Sequence, residues 1–171
     1  MNTETAIDAR TAPYAALVLR LGLAAVFIAH ALLKLIGFTL PGTAAFFDAH
    51  GFPAWTAYPV FAAELTGGIA LLAGIGTRWV ALVLLPVMAG ALLVHWPNGW
   101  AFTAPEGGWE YVAFLMIALL AQAGLGDGAF ALGRRVTATG RSSAPPRTAP
   151  RASLEAGAAH PRARRGERPA A

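Results

Sequence analysis

The chain has 171 residues, enough for one modest domain, and is 56% hydrophobic. Only 13% of its residues are charged, against about 25% in soluble domains, and mean hydropathy is +0.53, so a membrane class leads. There is no cysteine, which excludes disulfides, thiol catalysis and cysteine-ligated iron–sulfur centres; a redox role would need a bound cofactor or a partner.

The net charge of +4 is unevenly divided. Residues 134–171 hold nine arginines against Glu155 and Glu167, a net of +7, while residues 1–133 hold Arg10, Arg20, Lys34 and Arg78 against seven acids, a net of −3. The basic stretch contains no aromatic residue to stack on bases, so nucleic acid is set aside as a partner.

A helix needs about 20 mostly apolar residues to cross the hydrocarbon of a bilayer, and in lipid the backbone must satisfy its own hydrogen bonds. After an N-terminal segment, 1–13, four such stretches follow: about 14–38, 58–75, 78–96 and 110–125. The first contains Ala29-His30-Ala31, which resembles a signal-peptidase site. Its hydrophobicity continues through LLKLIGF, so it reads as a span. The loop after it, with Phe46, Phe47, Asp48, His50 and Trp55, could form a short interfacial helix. The second span is short, and Gly67, Gly68 and Gly74 give it a small-residue face for close packing. A two-residue turn, Gly76-Thr77, leads to the third, where Pro86 predicts a kink. A turn-rich loop, PNGWAFTAPEGG, precedes the short fourth span. From 133 onward the Arg, Pro, Ala and Ser composition predicts a disordered tail, suited to anchoring on the inner face and to attraction by anionic lipids.

Lysine and arginine placement sets the expected orientation. Arg10 and Arg20, Arg78, and Arg134 with Arg135 fall at one side, whereas the first and third loops carry none. Both termini are therefore expected in the cytoplasm. Trp55, Trp96, Trp100 and Trp109 would lie at the outer surface, and Arg20 and Arg78 would snorkel to the inner one.

Five ionisable residues then fall in the outer half: His30, Lys34, Glu64, His95 and Glu110. A lone charge near mid-bilayer costs about 2.5–3.5 kcal/mol. His30 and Lys34, four apart, share a helix face, and Glu64 at matching depth is the natural counter-charge. These five residues are the candidate ligand-binding set, around a pocket open outward. Snorkelling or helix–helix pairing are the plainer explanations of the same residues. A metal fits poorly, since Lys34 would repel it and no short ligand-spacing motif is present. Axial haem ligation by His30 and His95 would need them at equal depth. A polar-headed lipophile such as a quinone fits better: Lys34 and His30 would donate to its carbonyls and the glutamates would carry protons.

The sequence also resembles the DoxX family of small bacterial membrane proteins. RLGLAAVFIAHALLKLIGF is similar to the family's first helix, with R-x-G and then His and Lys four apart. ELTGGIALLAGIGTR resembles the second, HWPNGW and GGWEYVAFLMIALL the outer loop and fourth-helix start, and GDGAFAL the closing G-x-G segment. The likeness covers about residues 15–132. Ala31 stands where a glycine often follows the histidine, and Asp127 where a proline is common. The resemblance implies an all-α, four-helix inner-membrane domain over 14–132. It also implies a quinone-linked setting, through the DoxD subunit of thiosulfate:quinone oxidoreductase.

The leading expectation is a redox-associated membrane subunit that binds a quinone-like or sulfur-compound ligand. A non-enzymatic scaffold that docks partner proteins through its tail and outer loops is the alternative. A small-solute transporter comes third, and self-association is open.

Overall fold

A computed structural model describes residues 8–133. Residues 134–171, the arginine-rich stretch, lie outside the described residues, as do residues 1–7. Every regular element among the described residues is helical, with no strand.

The first helix, α1 (Ala12–Leu32), opens with a proline in its first turn, where the missing N–H is not needed. The sequence predicts one uninterrupted helix to residue 38. Instead the α-helix ends at Leu32 and a π-helical turn, Leu33–Gly37, continues it. The Phe38 N–H donates to the Leu33 carbonyl, five residues back, at 3.0 Å, the bond that defines a π turn. Thr39 then turns the chain with φ 62° and ψ 157°, a region nearly confined to glycine. Its hydroxyl accepts from the Gly42 N–H at 3.3 Å and starts α2 (Leu40–Ala49). The first loop is thus largely helical, as its composition allows.

A 3-10 turn, Ala54–Thr56, leads into α3 (Ala57–Ala73). That helix stops at Gly74, which is left-handed at φ 70°, the usual reason for glycine after a helix. Next comes α4 (Thr77–His95), which runs through Pro86 as one helix. A 3-10 turn, Trp96–Asn98, and an irregular loop precede α5 (Glu110–Leu125).

The four longer helices form a ring of neighbours. α1 lies against α3 and α4 against α5, and the pairs α3–α4 and α1–α5 close it. Leu23, Phe27, Leu71, Leu84 and Leu119 fill the centre, spaced by Ala24, Ala81 and Ala118. Gly68 lets α1 and α3 approach closely: a Cβ there would lie 2.7 Å from Ile28 Cγ1 and 3.1 Å from its backbone N. Such small-residue contacts drive association where lipid removes the hydrophobic force between helices. Outward, Val18, Ile69, Val83, Leu93, Phe114 and Ile117 are all more than half exposed. Water would penalise so apolar an exterior and hydrocarbon does not. Three helical stretches, Ala12–Gly37, Ala54–Ala73 and Thr77–Asn98, are long and apolar enough to cross a membrane, and Glu110–Leu125 is a shorter apolar helix.

One end of the ring is closed by polar contacts. Arg20 does not snorkel as expected from sequence; it is only 2% exposed. Its Nη1 donates to the Asp127 carbonyl at 2.6 Å and its Nη2 to the Ala129 carbonyl at 3.4 Å. The Asp127 carboxylate accepts from the Thr77 N–H (3.0 Å) and hydroxyl (2.7 Å). Ala129 N–H donates to the Pro13 carbonyl at 2.8 Å. The segment after α5 is therefore tied across the starts of α1 and α4, and the opposite end is left for the cavity.

Candidate functional site

At that opposite end lies a cavity of about 860 Å³. The end of α1, the π turn, α2, α3, α4, the loop after it and α5 all contribute to its wall. Its polar centre is an ion pair. Lys34 Nζ donates to both Glu64 oxygens, at 2.9 and 2.7 Å. The side chains are 16% and 4% exposed, so the pair sits out of bulk water. Lys34 is the second residue of the π turn, and Glu64 stands seven residues into α3, about 10 Å along the axis. α1 and α3 run antiparallel, so the end of one meets the early turns of the other.

His30 lines the cavity one α-helical turn before Lys34. Its Nδ1 donates to the Val26 carbonyl at 2.9 Å. A carbonyl can only accept, so in the neutral ring Nε2 is left as an acceptor. His95, at the end of α4, also lines the cavity. Its Nδ1 donates to the Gly107 carbonyl at 3.0 Å, which also receives Asn98 Nδ2 at 3.0 Å. The loop after α4 thereby fixes the ring's orientation.

Four of the five sequence-derived residues share this wall: His30, Lys34, Glu64 and His95. Glu110 stands apart from it. Its Oε1 accepts from the Phe102 N–H at 2.9 Å, which holds the loop onto the start of α5. No three His, Cys, Asp or Glu side chains converge as a metal site would require among the described residues.

Sequence reasoning missed the contribution of α2. Thr43, Phe46, Phe47 and His50 all face the cavity. Thr43 is buried, with its hydroxyl 2.9 Å from the Thr39 carbonyl it donates to. The His50 ring lies against Phe46 with centroids 4.0 Å apart. Phe52 and Tyr111 add further aromatic wall. The i, i+4 spacing of Phe46 and His50 was the available signal. Around the loop between α4 and α5, Trp96 stacks on Trp109 at 4.8 Å, and Trp100 meets Trp109 edge-on at 4.5 Å.

The DoxX family model matches residues 15–96. Over that stretch, a little under half of its length, the chain is similar to the DoxX family. The matched stretch carries most of α1 and all of α2 to α4, and with them His30, Lys34, Glu64 and His95. It ends before Glu110, the one candidate outside the cavity wall. The chain is also 35% identical over 77 residues to a protein of Bacillus subtilis (strain 168) named "Putative oxidoreductase CatD". That match takes in 45% of this chain and 56% of the relative, so the chain spans little more than half the relative's length. No solved structure matches.

Proposed function

We propose that this DoxX-like protein is a redox-associated subunit of the bacterial inner membrane, and that its cavity holds a quinone-like ligand. The observation that carries the reading is the cavity itself. It is a pocket of about 860 Å³, within the roughly 300–1,000 Å³ range of small-molecule sites. Its walls are mostly hydrocarbon and aromatic, and the few polar groups on them include Lys34, Glu64, His30 and His95. A flat, apolar molecule with carbonyl oxygens matches such a lining. Its rings would rest among Phe46, Phe47 and Phe52, and an oxygen would meet the Lys34 ammonium. The relative named as an oxidoreductase points to the same class of chemistry.

In this reading α1, α3, α4 and α5 are the four spans. α5 has 16 residues, about 24 Å at 1.5 Å per residue. It crosses with local thinning of the bilayer, which costs fractions of a kcal/mol per Å of mismatch. Both termini lie in the cytoplasm, with Arg10, Arg20 and Arg78 at the inner end and the arginine-rich residues 134–171 beside anionic headgroups. The cavity then opens in the outer half of the bilayer, and Trp96, Trp100 and Trp109 sit in the interface. Glu110 acts by holding the outer loop.

The test is mass spectrometry of the small molecules retained by protein purified in mild detergent. A quinone should be retained at near one per chain, and Gly90→Phe, which places a ring into the cavity, should empty it. If the wild-type protein retains no quinone and binds none when offered, the proposal fails.

A further inference from the structure

We infer that the Lys34–Glu64 pair is a charge filter: it confines the cavity to uncharged lipophiles with a hydrogen-bond-accepting group and shuts out sulfur oxyanions. The inference rests on the quinone-like reading above and narrows it, because a sulfur-compound ligand is the other class that the resemblance to DoxD implies.

Lys34 is the cavity wall's single Lys or Arg among the described residues, and Glu64 its single carboxylate. The ammonium is spent on both oxygens of that carboxylate, at 2.9 and 2.7 Å. With the histidines neutral the wall carries no net charge. An oxyanion such as thiosulfate would have to shed its hydration shell and enter an apolar space. Burying a charge is tolerated only where a free counter-charge waits for it. None waits here. Arg20 and Arg78, the groups best shaped to grip an oxyanion in two bonds, belong to the opposite end of the bundle. Arg20 is already committed to the carbonyls of Asp127 and Ala129, and Arg78 Nε to that of Ala123 at 2.9 Å.

A neutral carbonyl meets no such barrier. An ammonium has three N–H donors, and Glu64 engages two of those on Lys34. The third remains for a ligand oxygen. The cavity's volume also suits a ring with an attached chain far better than a small tetrahedral anion. Glu64 is thus a specificity-determining residue: its charge, rather than a contact with the ligand, sets which class enters. Removing that charge while keeping the shape leaves Lys34 as an uncompensated cation in a large cavity, which is an anion site.

The experiment uses the full chain in lipid nanodiscs at pH 8, above the ordinary range of histidine at about 6.5. Binding of a decyl-substituted benzoquinone is followed by quenching of tryptophan fluorescence, and binding of thiosulfate by calorimetry. Wild type should bind the quinone and give no thiosulfate heat at millimolar concentration. Glu64→Gln should bind thiosulfate, and the ratio of thiosulfate to quinone affinity should rise at least about tenfold, roughly the effect of 1.4 kcal/mol. The double variant Lys34→Met/Glu64→Leu has no charge to expose. It should stay blind to thiosulfate while its quinone affinity falls with the lost Lys34 donor, and it keeps the filter testable should Glu64→Gln not fold. Thiosulfate binding by wild type or by the double variant overturns the filter and leaves the quinone reading standing. A folded Glu64→Gln protein with no gain of anion binding does the same. Failure of wild type to bind the quinone overturns both.

Discussion

Separating the two partners of the Lys34–Glu64 pair should cost far more than removing both. Both side chains are mostly buried, at 16% and 4% exposure, and bonded at 2.9 and 2.7 Å. Lys34→Met leaves the Glu64 carboxylate facing hydrocarbon and aromatic rings with no donor. Breaking a buried pair in this way costs about 3–5 kcal/mol, and an uncompensated charge deep in a bilayer about 2.5–3.5 kcal/mol. A loss of about 3 kcal/mol is therefore expected for Lys34→Met, and a similar loss for Glu64→Leu. In the double variant Lys34→Met/Glu64→Leu the desolvation penalty disappears together with the attraction, so the loss should stay under about 1 kcal/mol. The coupling between the two sites is then several kcal/mol. The assay is unfolding in mixed micelles titrated with SDS and followed by circular dichroism, on all four proteins of the cycle. Single-variant losses that add to within about 0.5 kcal/mol, as independent sites do, would refute the reasoning: the pair would then be no more than two neighbours at an interface.

Further outcomes follow from the same contacts. Gly68→Leu should weaken the α1–α3 contact by about 1–3 kcal/mol, the cost of overpacking, because the added atoms meet the Ile28 backbone as well as its side chain; the same SDS titration reads it. Asp127→Ala removes the acceptor of the Thr77 N–H and hydroxyl and should cost about 1.5–3 kcal/mol, the worth of hydrogen bonds to a charged group. It should also speed hydrogen exchange in the turn between α3 and α4. Thr39→Gly should stabilise by about 1 kcal/mol: relief of the φ 62° conformation is worth about 1–3 kcal/mol, and exchanging a Thr cap for Gly costs only a few tenths. Glu110→Gln, outside the cavity wall, should leave quinone affinity within about threefold, since 1.4 kcal/mol is a factor of ten and no ligand contact is lost. Gly90→Phe should abolish that affinity, and tryptophan quenching distinguishes the two.

The features legible in the sequence share a physical cause. Long apolar runs announce themselves by composition alone, so the helices that became α3, α4 and α5 fell within a few residues of their expected places. The meeting of Lys34 and Glu64 was legible because antiparallel helices bring the end of one segment to the start of the next, and opposite charges in an apolar setting must meet. The π turn was not legible. Leu33–Gly37 is as apolar as the helix before it, and nothing in hydropathy records a change from four-residue to five-residue hydrogen bonds. The burial of Arg20 escaped for a related reason: the groups it binds are backbone carbonyls of the segment after α5, which every residue carries and no residue type reveals. Glu110 misled because a glutamate at a helix start looks the same whether it holds a loop or faces a ligand. The aromatic wall from α2 needed the turn at Thr39, which folds that helix back against the bundle and could not be read from residue types.

The most direct measurement is photo-crosslinking of an azido-benzoquinone to the wild-type protein in nanodiscs, with the adducts mapped by peptide mass spectrometry. Adducts should fall on the end of α1, on α2 and on the half of α4 after Pro86, and an excess of decyl-benzoquinone should suppress them. Adducts spread evenly over the outward faces of the helices, at Val18, Val83 or Phe114, and indifferent to the competitor would mean that the probe dissolves in the surrounding lipid and that the cavity is not its site.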